Sequence, residues 1–307
     1  VVDEKCIATL AFQTDFQGAL LEGLIDADDG VGRKQRARIT AALSQVFVDA
    51  VTMLAPAAVL EVGSHEGAFS VSMKSALPSS RVIAFEAHPD IYAKYRATLA
   101  GHGVETVHAC IAEASGTRTL HVPTRRGQQR LSMGSVLRDT DAKAFSSYDV
   151  PATTLDSFFA ADRPPTCALW IDVEGAIDAV LDGSPKTLSS CVALYAELEN
   201  KQRWAGQKLA SDIIRKLGGH GLLPVFRDVQ RPLWQYNLLF LRAGALRTAQ
   251  LNRLKRRYAR ECCRAVLPRI RAAATAPAGS PTPTQTPSPA PSERSYSGLR
   301  FWRRKKE

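Results

Sequence analysis

The stretch VLEVGSHEGAFS, residues 59–70, decides how the rest of the chain is read. It continues AAVLEV (57–62), aliphatic and β-branched like a buried strand, and it runs into FSVSMKSAL, which carries helical spacing. A strand that turns into a helix leaves the first N–H groups of that helix unpaired and aimed at the crevice above the sheet. Gly63, Ser64 and Gly67 form the turn. The two glycines let the backbone bend sharply and approach a ligand with no Cβ in the way. Glu61 is the unusual residue: a carboxylate between Leu60 and Val62 in a central strand needs a partner, because an isolated buried charge is very costly.

The spacing G-x-x-x-G is not the G-x-G-x-x-G of a dinucleotide site, and an acid at this place repels a pyrophosphate. It favours a cationic guest, such as the ammonium of an amino-acid-bearing cofactor. The next apolar run, RVIAFEA (81–87), reaches Glu86 about 20 residues beyond the glycines, where an acid accepts hydrogen bonds from both hydroxyls of a ribose. Ala87 follows at the same strand mouth. Ammonium, sulfonium and ribose together describe S-adenosyl-L-methionine, the cofactor these residues predict. Near the end of a third run, ETVHACIAE (105–113), Ile111 and Ala112 are placed to line the adenine. His65 and His88 sit in the two loops as alternative bases.

Two further runs, CALWIDVE (167–174) and VALYAELE (192–199), read as strands, and PDIYAKYRATLA and KLASDIIRKLGG read as helices between strands. Such alternation predicts an α/β, doubly wound, mostly parallel sheet with helices on both faces. LLPVFRDV (222–229) and WQYNLLFLR (234–242) are separated by four residues, too few for a crossover helix, so they are expected to pair as an antiparallel hairpin. That gives seven strands and the Rossmann-like fold of class I methyltransferases. Residues 33–55 carry apolar groups at helical spacing, so 1–55 is expected to be an N-terminal helical segment before a domain at 56–243. A polar insertion over 121–159 is expected to cap the site. A basic helix follows at 244–274, and a Pro-rich linker with a basic tail fills 275–307.

VPATTLDSFF (150–159), LWIDVEGAIDAVLDGS (169–184) and LYAELE (194–199), together with the AFEAHP block, resemble the FkbM-type methyltransferase family over residues 59–199. Trp170 stands where that family usually carries lysine. The resemblance implies transfer of a methyl group from S-adenosyl-L-methionine to a hydroxyl, often on a sugar or secondary metabolite. It also places Ser135, in MGSVL, toward the cofactor from the insertion. A hydroxyl is a poor nucleophile, so a carboxylate at the fourth strand's end suits proton removal. Asp172 and Glu174 are expected on one side of that strand by alternation. Three uses are open to such a pair: sharing a proton, binding acceptor hydroxyls, or holding a divalent cation. Asp172 is placed near cofactor and acceptor, Glu174 as its support, and Glu197 as a further acid at the same rim. Trp170 and Trp204 suit stacking on a sugar ring.

The six cysteines show no C-x-x-C pair and no zinc-ligand spacing, so no metal ligands are assigned. Basicity is confined to the end: residues 244–307 hold 15 Lys and Arg against 3 Asp and Glu. The tail suits acidic lipid or nucleic acid, whereas the rest of the chain is slightly acidic. No run reaches the roughly 18 uninterrupted apolar residues of a membrane span, and a soluble, cytoplasmic protein is expected. Two rival readings remain. A base-amino methyltransferase would show D/N-P-P-Y/F after the fourth strand, where this chain has D-V-E-G. The other rival is a non-catalytic module of the same fold, docked through its tail.

Overall fold

The computed structural model describes residues 3–25, 30–231 and 234–275. The expected Pro-rich linker and basic tail therefore lie outside the described residues, apart from Thr275. Two helices come first, α1 (Glu4–Leu24) and α2 (Gly30–Leu54). Strands and helices then alternate through β1 (Ala58–Val62), α3 (Ala68–Ala76), β2 (Arg81–Glu86), α4 (Pro89–Gly101) and β3 (Glu105–His108). The run expected as one strand over 105–113 breaks at Ala109. Its second half, β4 (Cys110–Ile111), leaves the main sheet and joins β5 (Gly116–Arg125), β6 (Gln128–Gln129) and β7 (Phe145–Thr153) in a sheet of order β4-β7-β5-β6. The insertion thus contributes strands to a second sheet, which has its own small core around Leu120, Val122 and Val150. Alternating inward residues on β5 and β7 supply that core, a pattern hidden in the sequence by the polar residues between them.

The chain continues through α5 (Leu155–Phe158), β8 (Cys167–Ile171), α6 (Ile177–Asp182), α7 (Pro185–Ser190), β9 (Cys191–Glu199), α8 (Ala210–Gly219), β10 (Leu222–Arg227), β11 (Gln235–Arg242) and α9 (Thr248–Thr275). The T-L-D segment turns out to be structural. Thr154 caps α5 by accepting from the Ser157 N–H at 2.8 Å, and Asp156 accepts from the N–H groups of Lys186 and Thr187 at 2.8 and 2.7 Å, which caps α7.

The main sheet has the order β10-β11-β9-β8-β1-β2-β3. Neighbours are parallel except for β11, which runs antiparallel to both β9 and β10. Strand order runs outward from β1 in both directions, so the switch point falls between the C-terminal ends of β1 and β8, where ligands of doubly wound sheets bind. One face packs on α2, α3 and α9 through Leu43, Phe47, Phe69, Met73 and Tyr258; the other packs on α5 to α8 through Leu155, Val180, Leu188 and Ile213. Trp170 stacks on Tyr195 with ring centroids 3.9 Å apart and also meets Phe69 and Phe47. It anchors helices to the sheet rather than facing a sugar.

Both terminal segments pack into this body. Gln35 Nε2 of α2 donates to the Ala265 carbonyl of α9 at 3.0 Å. Helix α1 covers the edge strand β10, whose unpaired side would otherwise invite another chain. Buried Arg227 fixes it, reaching Asp15 at 3.0 Å and Glu22 at 3.2 Å. Gly18 makes room for that guanidinium, since a Cβ there would lie 2.3 Å from Arg227. By length and composition α2 is apolar enough to cross a membrane, with a mean hydropathy of 1.3; here its apolar face is buried on the sheet and α9.

Candidate active site

At the mouth of β1 the glycines take left-handed backbone, Gly63 at φ 82° and Gly67 at φ 67°. The space a Cβ would occupy is filled by protein and not held open for a ligand. At Gly63 it would come 1.9 Å from the Asp172 carbonyl oxygen, and at Gly67 it would come 2.6 Å from the Leu99 side chain. Gly63 thus allows the loops after β1 and β8 to touch, as the bond from the Asp172 N–H to the Val62 carbonyl at 2.9 Å also shows. Ser64 is buried, its N–H on the Phe85 carbonyl at 3.0 Å.

Glu61 finds its partner in α3. Its Oε2 accepts from the Ser70 N–H at 3.1 Å and the Ser70 hydroxyl at 2.6 Å, which leaves Oε1 without a protein partner among the described residues. Burial raises its carboxyl to about 8, opposed by the Ser70 bonds and reinforced by the nearby charges of Asp172 and Glu86.

Glu86 stands at the end of β2 with each oxygen oriented by backbone. The His65 N–H donates to Oε2 and the His88 N–H to Oε1, both at 2.7 Å. Burial raises this carboxyl as well, partly offset by those N–H groups and that of Ala87. His65 reaches the contact in a left-handed conformation, φ 48°. Its Nδ1 is buried without a partner among the described residues. His88 is no surface histidine: it is 2% exposed and caps α4 by accepting from the Asp90 N–H.

On the other side of the switch point stand the remaining acids. Strand β8 ends at Ile171, so alternation does not bring Asp172 and Glu174 together. Glu174 adopts φ 48° and turns its carboxylate back toward Asp172 and Glu197. One oxygen from each of Asp172, Glu174 and Glu197 lies within 4.8 Å of the others. Glu174 does not cap the next helix, because Ala176 holds the N-cap of α6 and no side chain bonds there. Asp172 is exposed as a residue, while burial of its carboxylate lifts it to about 6. Burial and then the Asp172 charge raise Glu174 to about 8. Glu197 is pushed well above the usual carboxylate range, first by burial and then by its acidic neighbours; Gln235 Nε2 donates to its Oε1 at 2.6 Å.

Glu199 belongs to the same rim and was not singled out from the sequence. Two residues beyond Glu197 on β9 it lies on the same face, a signal the strand period already carried. Gln207 Nε2 donates to its Oε2 at 2.7 Å. Two expected cofactor residues stand apart from open space. Ala112 is fully buried, its N–H on the Thr153 carbonyl at 3.0 Å. Ser135 is 2% exposed, and its hydroxyl donates to the Glu174 carbonyl at 2.7 Å while accepting from the Leu137 N–H at 3.1 Å. Its link to the site therefore runs through the backbone of Glu174. Ala87 sits half-buried at the β2 mouth, its carbonyl 3.1 Å from His108 Nε2. Trp204 is fully buried against Gly175, which excludes it from stacking on a sugar. Beside it opens a cleft of about 200 Å³, lined among others by Glu113, Leu137, Gly175, Asp178, Gln207 and Lys208.

No curated protein matches the sequence. Among solved structures, fibrillarin from Aeropyrum pernix with natively bound S-adenosyl-L-methionine is similar at 8% identity, covering 61% of this chain and 66% of that one with a TM-score of 0.36. Precorrin-6y C5,15-methyltransferase from Geobacter metallireducens is similar at 11% identity, over 63% and 87% of the two chains, with a TM-score of 0.34. TehB from Haemophilus influenzae is similar at 7% identity over 64% and 61%, TM-score 0.38. Likenesses this distant carry no argument about activity. The sequence itself is more telling: residues 61–223, more than half of the chain, match the methyltransferase FkbM domain, and the chain belongs to that family.

Proposed function

We propose that this protein methylates a hydroxyl of a sugar, glycan or secondary metabolite, with S-adenosyl-L-methionine as donor. The observation that supports this reading most is the convergence of Glu61, Glu86 and Asp172, each within electrostatic reach of the next, at the switch point of an FkbM-family sheet. A crevice crowded with carboxylates repels a pyrophosphate and attracts a cation, so these residues fit a sulfonium cofactor with an ammonium end. Glu61 would take the ammonium through its unpartnered Oε1. Glu86, with both oxygens already oriented by backbone N–H groups, would take the two ribose hydroxyls.

When bound, the cofactor supplies a methyl group on a positively charged sulfur, open to displacement by the acceptor oxygen. The chain's own part is to orient that oxygen and to receive its proton. Asp172, just beyond the end of β8, takes the proton on a carboxylate oxygen. Glu174 and Glu197 bind neighbouring hydroxyls of a polyol acceptor, the latter fixed by Gln235. Mass spectrometry of a glycan and metabolite extract, incubated with the protein and cofactor labelled in its methyl group, tests the reading. Label on a hydroxyl oxygen is expected. Label confined to nitrogen or to nucleic acid would overturn the assignment, as would the absence of any calorimetric heat with the cofactor and with its demethylated product.

A further inference from the structure

Three carboxylates meet at the ends of β8 and β9, and among the described residues no lysine or arginine forms a salt bridge with any of them. Arg203 and Arg231 lie within electrostatic reach of Glu174 and Glu199, but Arg203 is engaged with Asp139 at 3.1 Å and Arg231 lies over the Trp234 ring at 4.9 Å. Acids gathered in this way do not by themselves make a site. What points to a ligand is the fourth acid. Glu199 is 2% exposed and lies on the Glu197 face of β9; its charge is felt at Glu174 and Glu197 and it feels that of Asp172, yet its Oε1 has no hydrogen-bond partner among the described residues. A buried carboxylate oxygen left unpaired beside three further carboxylates is a costly arrangement unless positive charge enters.

We infer that Asp172, Glu174 and Glu197 form a binding site for one hard divalent cation of the magnesium or manganese class, with Glu199 behind them completing the negative field. The geometry suits it. Oxygens around one such ion, at metal–oxygen distances of about 2.1 to 2.4 Å, lie no more than about 4.2 to 4.8 Å apart, and the three carboxylates fall within 4.8 Å of one another. The ligand set is oxygen only, with no histidine or cysteine among the three, which selects against zinc and copper. Asp172 is exposed, so part of the coordination sphere is left to water or to an acceptor hydroxyl. The sequence left a divalent cation as one of three uses open to Asp172 and Glu174 and assigned no metal ligand; the geometry favours the cation and adds Glu197. Where the proposed hydroxyl methylation holds, the cation would stand between Glu174 and Glu197 and the acceptor hydroxyls and polarise the acceptor oxygen, leaving Asp172 one carboxylate oxygen for the proton; its binding requires neither cofactor nor acceptor.

Titration of the full chain with manganese(II) alone, followed by calorimetry and by loss of the free-ion electron paramagnetic resonance signal, tests the site. One ion per chain is expected, displaced by magnesium. Glu197→Gln and Asp172→Asn should each weaken it about tenfold or more, while Asp162→Asn, an exposed acid away from the crevice, leaves it unchanged. Should the variants fail to fold, the unmodified protein still decides: manganese raises its melting temperature if the site exists. An unchanged resonance signal and melting temperature at millimolar manganese would overturn the inference, as would equal affinity in folded Glu197→Gln. Manganese binding without methyl transfer would count against the proposed reaction alone. Methyl transfer that persists in chelator, with no manganese bound, would count against the cation alone.

Discussion

The two halves of the crevice differ in how their acids are held. On the β1 and β2 side the carboxylates are oriented by the protein itself: Ser70 holds Glu61, and the His65 and His88 N–H groups hold both oxygens of Glu86. On the β8 and β9 side the acids chiefly face one another, with Gln235 on Glu197 and Gln207 on one oxygen of Glu199. The first arrangement is pre-organised before any ligand arrives, which limits the cost of ordering on binding. The second is electrostatically incomplete and draws in a proton, a hydroxyl or a cation. Under the proposed function, recognition and chemistry would be divided across a single switch point.

Removing an acid from each half should therefore have different consequences. Asp172→Asn carries the largest expected effect, a fall in turnover of about 10² to 10⁴-fold with a far smaller loss of cofactor affinity, since Asp172 adds charge to the Glu61 and Glu86 side, read by steady-state kinetics beside calorimetry. A parallel loss of cofactor affinity would dissolve the division. Glu86→Ala should do the opposite and weaken cofactor binding about 100-fold or more, because two hydrogen bonds to a charged group contribute at least ~1.5 kcal/mol each. It also leaves the His65 and His88 N–H groups without an acceptor, so the melting temperature should fall. A lower melting temperature with unaltered affinity would remove the ribose role and keep only the structural one.

The next effect concerns pH. Glu61 is raised from an ordinary value of 4.5 to about 8 in the folded protein. A folded value above the unfolded one means that the native state binds more protons between those limits. Its contribution to stability is complete below about pH 4.5 and is lost as pH rises toward about 8. Melting temperature should decline across that window, and Glu61→Gln, which can still accept from Ser70, should flatten part of the decline. An ammonium at Oε1 would lower the carboxyl again, so cofactor binding near pH 7 should release a proton, visible as a dependence of calorimetric heat on buffer ionisation enthalpy. No such dependence in the unmodified protein would break the link between Glu61 and the ammonium.

The mostly parallel architecture could be read in the sequence because it rests on period. Short β-branched runs alternate with helical spacing, and strand mouths fall where glycines and acids follow apolar residues. The insertion was opaque for the same reason: β5 and β7 carry only short apolar alternations, Leu120 with Val122 and Val150 with Ala152, and their core appears only once they pair. Glu61, Glu86, Asp172 and Glu197 were legible as acids at strand ends. The purpose of the glycines was not, because what fills the space beside Gly63 and Gly67 is Asp172 and Leu99, both distant in sequence. Trp170 and Trp204 misled likewise, since an aromatic residue near a strand end looks the same whether it faces a ligand or the core. Glu199 was legible by the same alternation that marks Glu197, two residues before it on β9.

Ser135 carries the smallest expected effect and separates a contact with the cofactor from support of the rim. The resemblance to the family placed it toward the cofactor, yet its hydroxyl is occupied by the Glu174 carbonyl and the Leu137 N–H. Ser135→Ala removes one donor and one acceptor from a buried position, leaving the peptide of Glu174, at φ 48°, without its tie to the insertion. A neutral hydrogen bond of this kind contributes ~1 kcal/mol, about fivefold in a rate. If the residue acts through Glu174, turnover falls by about that factor while cofactor affinity holds, because Glu61 and Glu86 lie on the other half of the crevice. If Ser135 instead touches the cofactor, the dissociation constant rises and turnover at saturation is spared. The second outcome would extend the pre-organised half across the switch point and erase the distinction between the two sides.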